Sequence, residues 1–497
     1  MRFLTRRDFL QHTAAVSAAL AALPAAAPIA EAAPAASGQP LRVAVIGARG
    51  RGRDHVDGFA GKHDCLVTTI CDCDEGVVAP AMNAAAKAQN GKAPKFVKDL
   101  RKVFEDPEID AVSIATPNHW HALAAIWAMQ AGKDVYVEKP VSHNVVEGRR
   151  IVEFAAKTNR ICQTGTQSRS QPGIHEAIDY ARTKIGHVQL VHGICYKLRP
   201  SIGKVDADQA PPPTMDYDLW CGPAPNKPPH RRTSNGTVHY DWHWIWDYGN
   251  GDLGNQGIHQ MDVARWGLGK STLPKEVVSV GGRLGYEDDG ETPNSQLSQL
   301  VWNDARILFE VRGLPTGSPW PAAVNELEKK GSNFMGDIFY GKEGTVVICN
   351  SGVSYALDPK GAVVKVFKGE GDHFANFVAA VRSRKRESLH ADIVEGHLSS
   401  AMCHLANISY RLGDKWGVGQ DARAMGFGEE GKEWEIAIGL VEHLRRDHKL
   451  AGGKEWSVGH SLRFDAGKEQ FIGDYSGEAN VLLSREYREG FELPKTA

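Results

Sequence analysis

The stretch VAVIGARGRG, Val43 to Gly52, carries an apolar strand straight into a turn with glycines at 47, 50 and 52. Glycines at such a junction let the backbone reverse tightly and approach a pyrophosphate held by N–H groups of the following helix. The spacing is irregular, because Arg49 stands where the usual pattern has glycine and Gly50 is displaced by one. Further on, Asp72 ends a second apolar run, where a carboxylate can bind both hydroxyls of an adenosine ribose. Read plainly, Asp72 and Asp74 merely cap the next helix. Turn and acid together predict a dinucleotide site. Asp72 repels a 2′-phosphate and favours NAD, while Arg49 leaves NADP open.

Working outward, LRVAVIG, CLVTTICD, AVSIATP, DVYVEKP and ICQTG are short β-branched runs separated by stretches of helical spacing such as HALAAIWAMQAGK. That alternation implies a parallel, doubly wound sheet over residues 41–166, covered on both faces. After Gln167 the pattern changes. A helix, PGIHEAIDYARTK, leads to the strand HVQLVHGICYK, then to a Pro- and Trp-rich passage from Arg199 to Tyr248. Strands are expected near Glu276–Leu284, Ser295–Trp302, Ala305–Arg312, Thr345–Cys349 and Val363–Phe367, with helices over His373–Arg384 and Asp392–Arg411. Successive strands with little helix between them predict a large, mostly antiparallel open sheet in an α+β domain at 167–412. Residues 413–497 read as a polar surface elaboration.

The formal charge is −2, and no basic stripe points to nucleic acid or an anionic membrane. Thr5-Arg6-Arg7-Asp8-Phe9-Leu10, a short Ala/Leu-rich run and Ala30-Glu31-Ala32 form a twin-arginine export pattern over residues 1–32. The run is too short and too broken by Pro24 and Pro28 for a membrane anchor, so the expected location is periplasmic or otherwise exported, with the twin-arginine machinery as a partner. Eight cysteines lack a paired metal-binding spacing, and no metal is expected.

At the ends of later strands stand Thr116-Pro117-Asn118-His119-Trp120-His121 and Glu138-Lys139-Pro140. Thr116, Asn118 and His121 face the expected cofactor edge; the plain alternative makes Asn118 a helix cap. An isolated Glu-Lys pair would read as a solvated strand end.

GARGRG, TPNHWH and EKPVS in this order resemble the glucose-fructose oxidoreductase and inositol dehydrogenase (Gfo/Idh/MocA) family over about residues 41–410. The resemblance implies a Rossmann domain joined to an open-sheet substrate domain. It places Lys139 beside the nicotinamide, and it adds Arg51 and Glu138 to Gly47, Arg49, Gly50 and Gly52 on the cofactor side. His259 takes the family's catalytic histidine position, and Asn255 stands where an aspartate is usual. An amide cannot stabilise an imidazolium as a carboxylate would, so a lowered pKa is expected for His259, with Asp262 as another group able to orient it. On one helix, Asn255 and His259 would share a face. Arg169, Tyr196, Lys197, Trp244, Asp247, Tyr248 and Asp262 are the candidates for holding a carbohydrate, aromatics for stacking and polar groups for hydroxyls.

The implied activity is nicotinamide-linked chemistry at a secondary hydroxyl of a sugar, cyclitol or glycoside, with a tightly held cofactor. The alternatives are an NAD-dependent, redox-neutral glycoside hydrolase and a carbohydrate-binding protein without catalysis. Homo-oligomerisation through the open sheet's outer face is a further implication of the resemblance.

Overall fold

The computed structural model describes residues 38–328, 331, 333–450 and 454–495. Arg6-Arg7 and the pattern at Ala30-Glu31-Ala32 lie outside the described residues.

Six strands form the first sheet: β1 (Leu41–Ile46), β2 (Cys65–Cys71), β3 (Lys95–Val97), β4 (Ala111–Ile114), β5 (Asp134–Val137) and β6 (Cys162–Thr164). They run parallel in the order β3-β2-β1-β4-β5-β6. Progress along the sheet reverses beside β1, which opens a crevice at the carboxyl ends of β1 and β4. Only β3 escaped the sequence reading, because its three residues are too short and exposed to show a period. Helices α1 (Arg51–Phe59), α2 (Asn118–Gln130) and α3 (Val145–Thr158) pack on this sheet. Nearly all of α2 is buried, against the sheet and α3 and, at Trp120, against Phe491 with ring centroids 5.6 Å apart.

The second sheet has twelve strands among the described residues. Its path is β14 (Val363–Lys368), β13 (Val353–Leu357), β12 (Gly344–Cys349), β11 (Phe334–Gly341), β7 (Leu190–Tyr196), β10 (Arg306–Arg312), β9 (Ser295–Val301), β8 (Glu276–Gly282), β16 (Glu455–Val458) and β15 (Asp414–Gly417). Two short strands, β17 (Leu462–Asp465) and β18 (Gln470–Ile472), pair at the side of β8. Pairing is antiparallel except between β7 and β10.

One face carries Val191, Cys195, Ile307 and Phe309 against α4 (Pro172–Lys184), α6 (Gly257–Gly267) and α8 (Ile393–Arg411). A short helix, α5 (Gly251–Asn255), precedes α6, and α7 (His373–Ser383) precedes α8.

The opposite face is also covered by this chain. Leu190, Val280, Leu297 and Leu308 pack under Phe427, Leu440 and Leu444, the last two from α9 (Gly431–Glu442) and the turn after it. Ile194, Tyr196 and Ile338 pack under Trp320 and Val324. Residues beyond 413 are thus more than a surface addition: they supply strands to the sheet and bury Trp456 at 1% exposure. Much of the face that the resemblance assigned to contacts between copies is covered by the protein's own side chains, while Val364 and Val366 of β14 stay exposed.

Candidate active site

The turn after β1 is shaped by two glycines. Gly47 has φ +89°, and a Cβ there would sit 2.6 Å from the Ala115 carbonyl oxygen. A Cβ on Gly52 would lie 1.7 Å from the Gly47 oxygen. α1 begins at Arg51 with no side-chain cap on its first N–H groups, the arrangement that receives a phosphate. Asp72 takes the Ala48 N–H on one oxygen (2.8 Å) and the Asp74 N–H on the other (2.9 Å). Burial raises its pKa, and these two N–H groups oppose the rise.

A cavity of about 520 Å³ runs from this turn to the second domain. It is lined by Gly47, Arg49, Gly50, Arg51 and Asp72, then Thr116, Asn118, His121, Glu138 and Lys139, and from the second domain Lys197, Tyr240, Trp242, His243, Asn255 and Gln256. The Thr116 hydroxyl is buried without a partner, as a wall awaiting a ligand requires. Asn118 donates across the domains to Asn250 (3.1 Å). His121 bridges the Thr116 and Pro140 carbonyls (2.7 and 2.6 Å), so its ring ties the two strand-end loops together. Gly52 alone of the expected cofactor residues is absent from the lining; it stands behind Gly47 and permits the turn.

Lys139 follows β5, and its peptide bond to Pro140 is cis. Behind it the Glu138 carboxylate accepts from Arg51 (2.7 Å) and lies 3.1 Å from His55, whose other nitrogen meets Ser113. Burial would raise Glu138, but Arg51 and His55 overcome it and hold the carboxyl well below its usual range. Lys139 Nζ donates to the Asn255 carbonyl (2.8 Å), with Asn255 Oδ1 at 3.5 Å. Burial first, then the nearby Arg51 and Lys197, bring Lys139 down to about 8 against the pull of Glu138.

His259 is half-buried at the start of α6, and its imidazole makes no hydrogen bond among the described residues. Burial and then the Lys139 ammonium lower it to about 3. The two groups are therefore electrostatic neighbours, although His259 does not line the cavity.

Several expectations are corrected. Asn255 does not orient His259: α5 ends at Asn255 and α6 begins at Gly257, and the oxygens of Asn255 face Lys139 instead. Asp262 does not orient His259. It is wholly buried and bound by Arg169 (2.7 and 2.9 Å) and Ser399 (2.7 Å), so Arg169 and Asp262 neutralise each other away from the cavity. Tyr196 points to the other side of its sheet and donates to Glu310. Trp244 lies under Arg199, 5.0 Å from its guanidinium, Tyr248 packs on Trp220, and Asp247 pairs with Lys227. Of the substrate candidates, Lys197 alone reaches the cavity.

Tyr240, Trp242 and His243 take the place expected of Trp244 and Tyr248. They come from the 3₁₀ turn at 241–244 and the residue before it, and no simple spacing in the sequence singles them out. Lys98 and Leu100 close the other end of the cavity; they follow β3, so missing the strand meant missing them.

Residues 41–166 match the family description "Oxidoreductase family, NAD-binding Rossmann fold" of Gfo/Idh/MocA, and residues 186–288 match its "C-terminal alpha/beta domain". The chain belongs to the Gfo/Idh/MocA family. Its cofactor is of the NAD type, and the turn, the orphaned Thr116 hydroxyl and Asp72 fit that group. Among curated relatives, the alpha-N-acetylgalactosaminidase of Shewanella oneidensis and a glycosyl hydrolase family 109 protein of Shewanella sp. (strain W3-18-1) are each 34% identical over 125 residues. That stretch is 24% of this chain and 27% of the relatives' length.

Similar folds include the WlbA dehydrogenase from Bordetella pertussis in complex with NADH and UDP-GlcNAcA, with TM-score 0.51, 19% identity, and coverage of 73% of this chain and 94% of that one. Levoglucosan dehydrogenase in complex with NADH and levoglucosan gives TM-score 0.52, 18% identity, and 73% and 95% coverage. Among the described residues there is no cluster suited to a metal ion, and no helix long and apolar enough to cross a membrane.

Proposed function

We propose that this chain is an exported NAD-dependent enzyme that oxidises or reduces a secondary hydroxyl of a carbohydrate while keeping its cofactor bound. The observation that carries this reading is Lys139: a half-buried ammonium at the carboxyl edge of the cofactor domain, turned onto the second domain's Asn255 and bound to no carboxylate among the described residues. Export rests on residues 1–32 alone.

A bound nicotinamide supplies the hydride acceptor or donor. The free N–H groups of Lys139 hold the reacting hydroxyl and stabilise negative charge as it develops on the oxygen. The family resemblance assigns the hydroxyl proton to His259, which is neutral above a pH of about 3 and would take it by turning into the cavity that it does not now line. Asn255 positions Lys139, and Glu138, pinned by Arg51 and His55, fixes the loop behind it. The test is nicotinamide absorbance of purified protein on adding a panel of sugars. Lys139→Ala and His259→Ala should each lower the rate by roughly 10²–10⁴-fold, the range for a positioned acid–base group. Undiminished turnover in either variant would remove that residue from the scheme.

A second reading is favoured by the curated relatives, named as family 109 glycosyl hydrolases. In it the same hydroxyl is oxidised to a ketone, the acidified C–H beside it is deprotonated and the aglycone leaves, water adds to the resulting enone, and the ketone is reduced back to the alcohol within one turnover. Release of p-nitrophenol from a glycoside without net change in nicotinamide absorbance would select this version.

A further inference from the structure

Two ammonium groups stand on one wall of the cavity with neutral partners only. Lys139 Nζ donates to the Asn255 carbonyl (2.8 Å) and Lys197 Nζ to the side-chain oxygen of the next residue, Gln256 (2.9 Å). The carboxylates nearby are already matched. Glu138 is bound to Arg51, and Asp252 takes Arg199 on both oxygens (2.8 and 2.6 Å). Asp72, the other carboxylate lining the cavity, lies at the far end and holds two backbone N–H groups. His243, on the same wall, is held to about 3 by burial and by Lys139, Arg199 and Lys197.

A neutral sugar uses one ammonium, at the reacting hydroxyl. The second is a half-buried charge whose desolvation nothing among its partners repays. The Gln256 amide nitrogen, with no partner among the described residues, sits beside the oxygen that receives Lys197. An ammonium and an amide N–H side by side match the two oxygens of a carboxylate. A phosphate ester carries like charge but asks for more donors than this pair offers.

We propose that the substrate is an acidic sugar, a uronic acid or its glycoside, whose carboxylate is held by Lys197 and Gln256 while Lys139 addresses a ring hydroxyl. This deepens the carbohydrate reading above and rests on it.

The experiment compares kcat/KM and calorimetric binding for D-glucuronate, D-galacturonate and their p-nitrophenyl glycosides with the neutral counterparts and with glucose 6-phosphate, on protein retaining its cofactor. The uronides should be favoured by at least about tenfold, the scale of one charge-assisted hydrogen bond. Lys197→Gln should lower the uronide value at least about tenfold more than the neutral one, mainly through KM, with Lys197→Arg recovering part of the preference. Gln256→Ala should move the preference in the same direction.

Equal or better turnover of neutral sugars, preference for the phosphate, equal losses on both substrates in Lys197→Gln, or no binding of any uronide would each overturn the proposal. Lys139→Ala separates the two readings. If it abolishes turnover while Lys197→Gln is indifferent to the carboxylate, only the acidic substrate falls. If Lys139→Ala leaves turnover intact, the catalytic reading falls.

Discussion

Lys139 is the residue on which the chemistry turns, and its charge state sets the pH response. Because burial and neighbouring cations lower its pKa to about 8, the ammonium is filled below that pH and lost above it. His259, at about 3, stays neutral throughout the working range. The expected kcat/KM profile is level near neutrality and falls as pH rises through about 8; a rise there would make Lys139 the base instead. Asn255→Asp sharpens the test. A carboxylate at the Lys139 ammonium should move the falling limb up by roughly one pH unit or more, with Asn255→Ser leaving it near its original place. An unmoved limb in Asn255→Asp would dissociate it from Lys139.

At the scale of elements, the turn between β1 and α1 is the most constrained piece. Gly52→Ala brings a methyl within 1.7 Å of the Gly47 carbonyl oxygen, which has no room because Gly47 is itself against Ala115. The turn must open, at a cost of about 1–3 kcal/mol or more, and the phosphate seat opens with it. The variant should melt lower and purify with little dinucleotide; full cofactor content by mass spectrometry would show that the seat tolerates the change. At the 3₁₀ turn 241–244, spacing alone does not say which ring faces the cavity: Tyr240, Trp242 and His243 line it, while Trp244 lies against Arg199.

Across the whole molecule, the long passage after β7 crosses back over the cofactor domain. Thr214 and His239 both bind the Asp74 carboxylate (2.5 and 2.9 Å), and Arg49 donates to the Gly236 carbonyl (3.0 Å). These contacts close the adenosine end of the cavity and would oppose release of a dinucleotide bound there. His239→Ala combined with Thr214→Val should speed exchange of bound NAD for labelled NAD at least about tenfold, by the loss of two hydrogen bonds to a charged group. Exchange at the parent rate would place the barrier elsewhere.

The strand-and-helix order of the first domain, the glycine turn, Asp72 and the EKP loop were legible because each is local. A parallel sheet needs continuous apolar runs, a tight turn needs glycine, and a strand end is marked by its first polar residues. The same local logic found six of the twelve strands of the second sheet; it passed over β11 and β13, and it missed β15 to β18 because a polar, Gly-rich tail was read as surface. It also misplaced Arg169, Asp262 and Trp244, since a charged or aromatic side chain looks alike in sequence whether its partner is a substrate or another residue of the protein. Which arginine is neutralised, which lysine is left with a neutral oxygen, and which face of the great sheet the chain covers for itself are pairings over long sequence distance. Tertiary packing alone decides them, because burial makes each charge choose a partner that the sequence does not name.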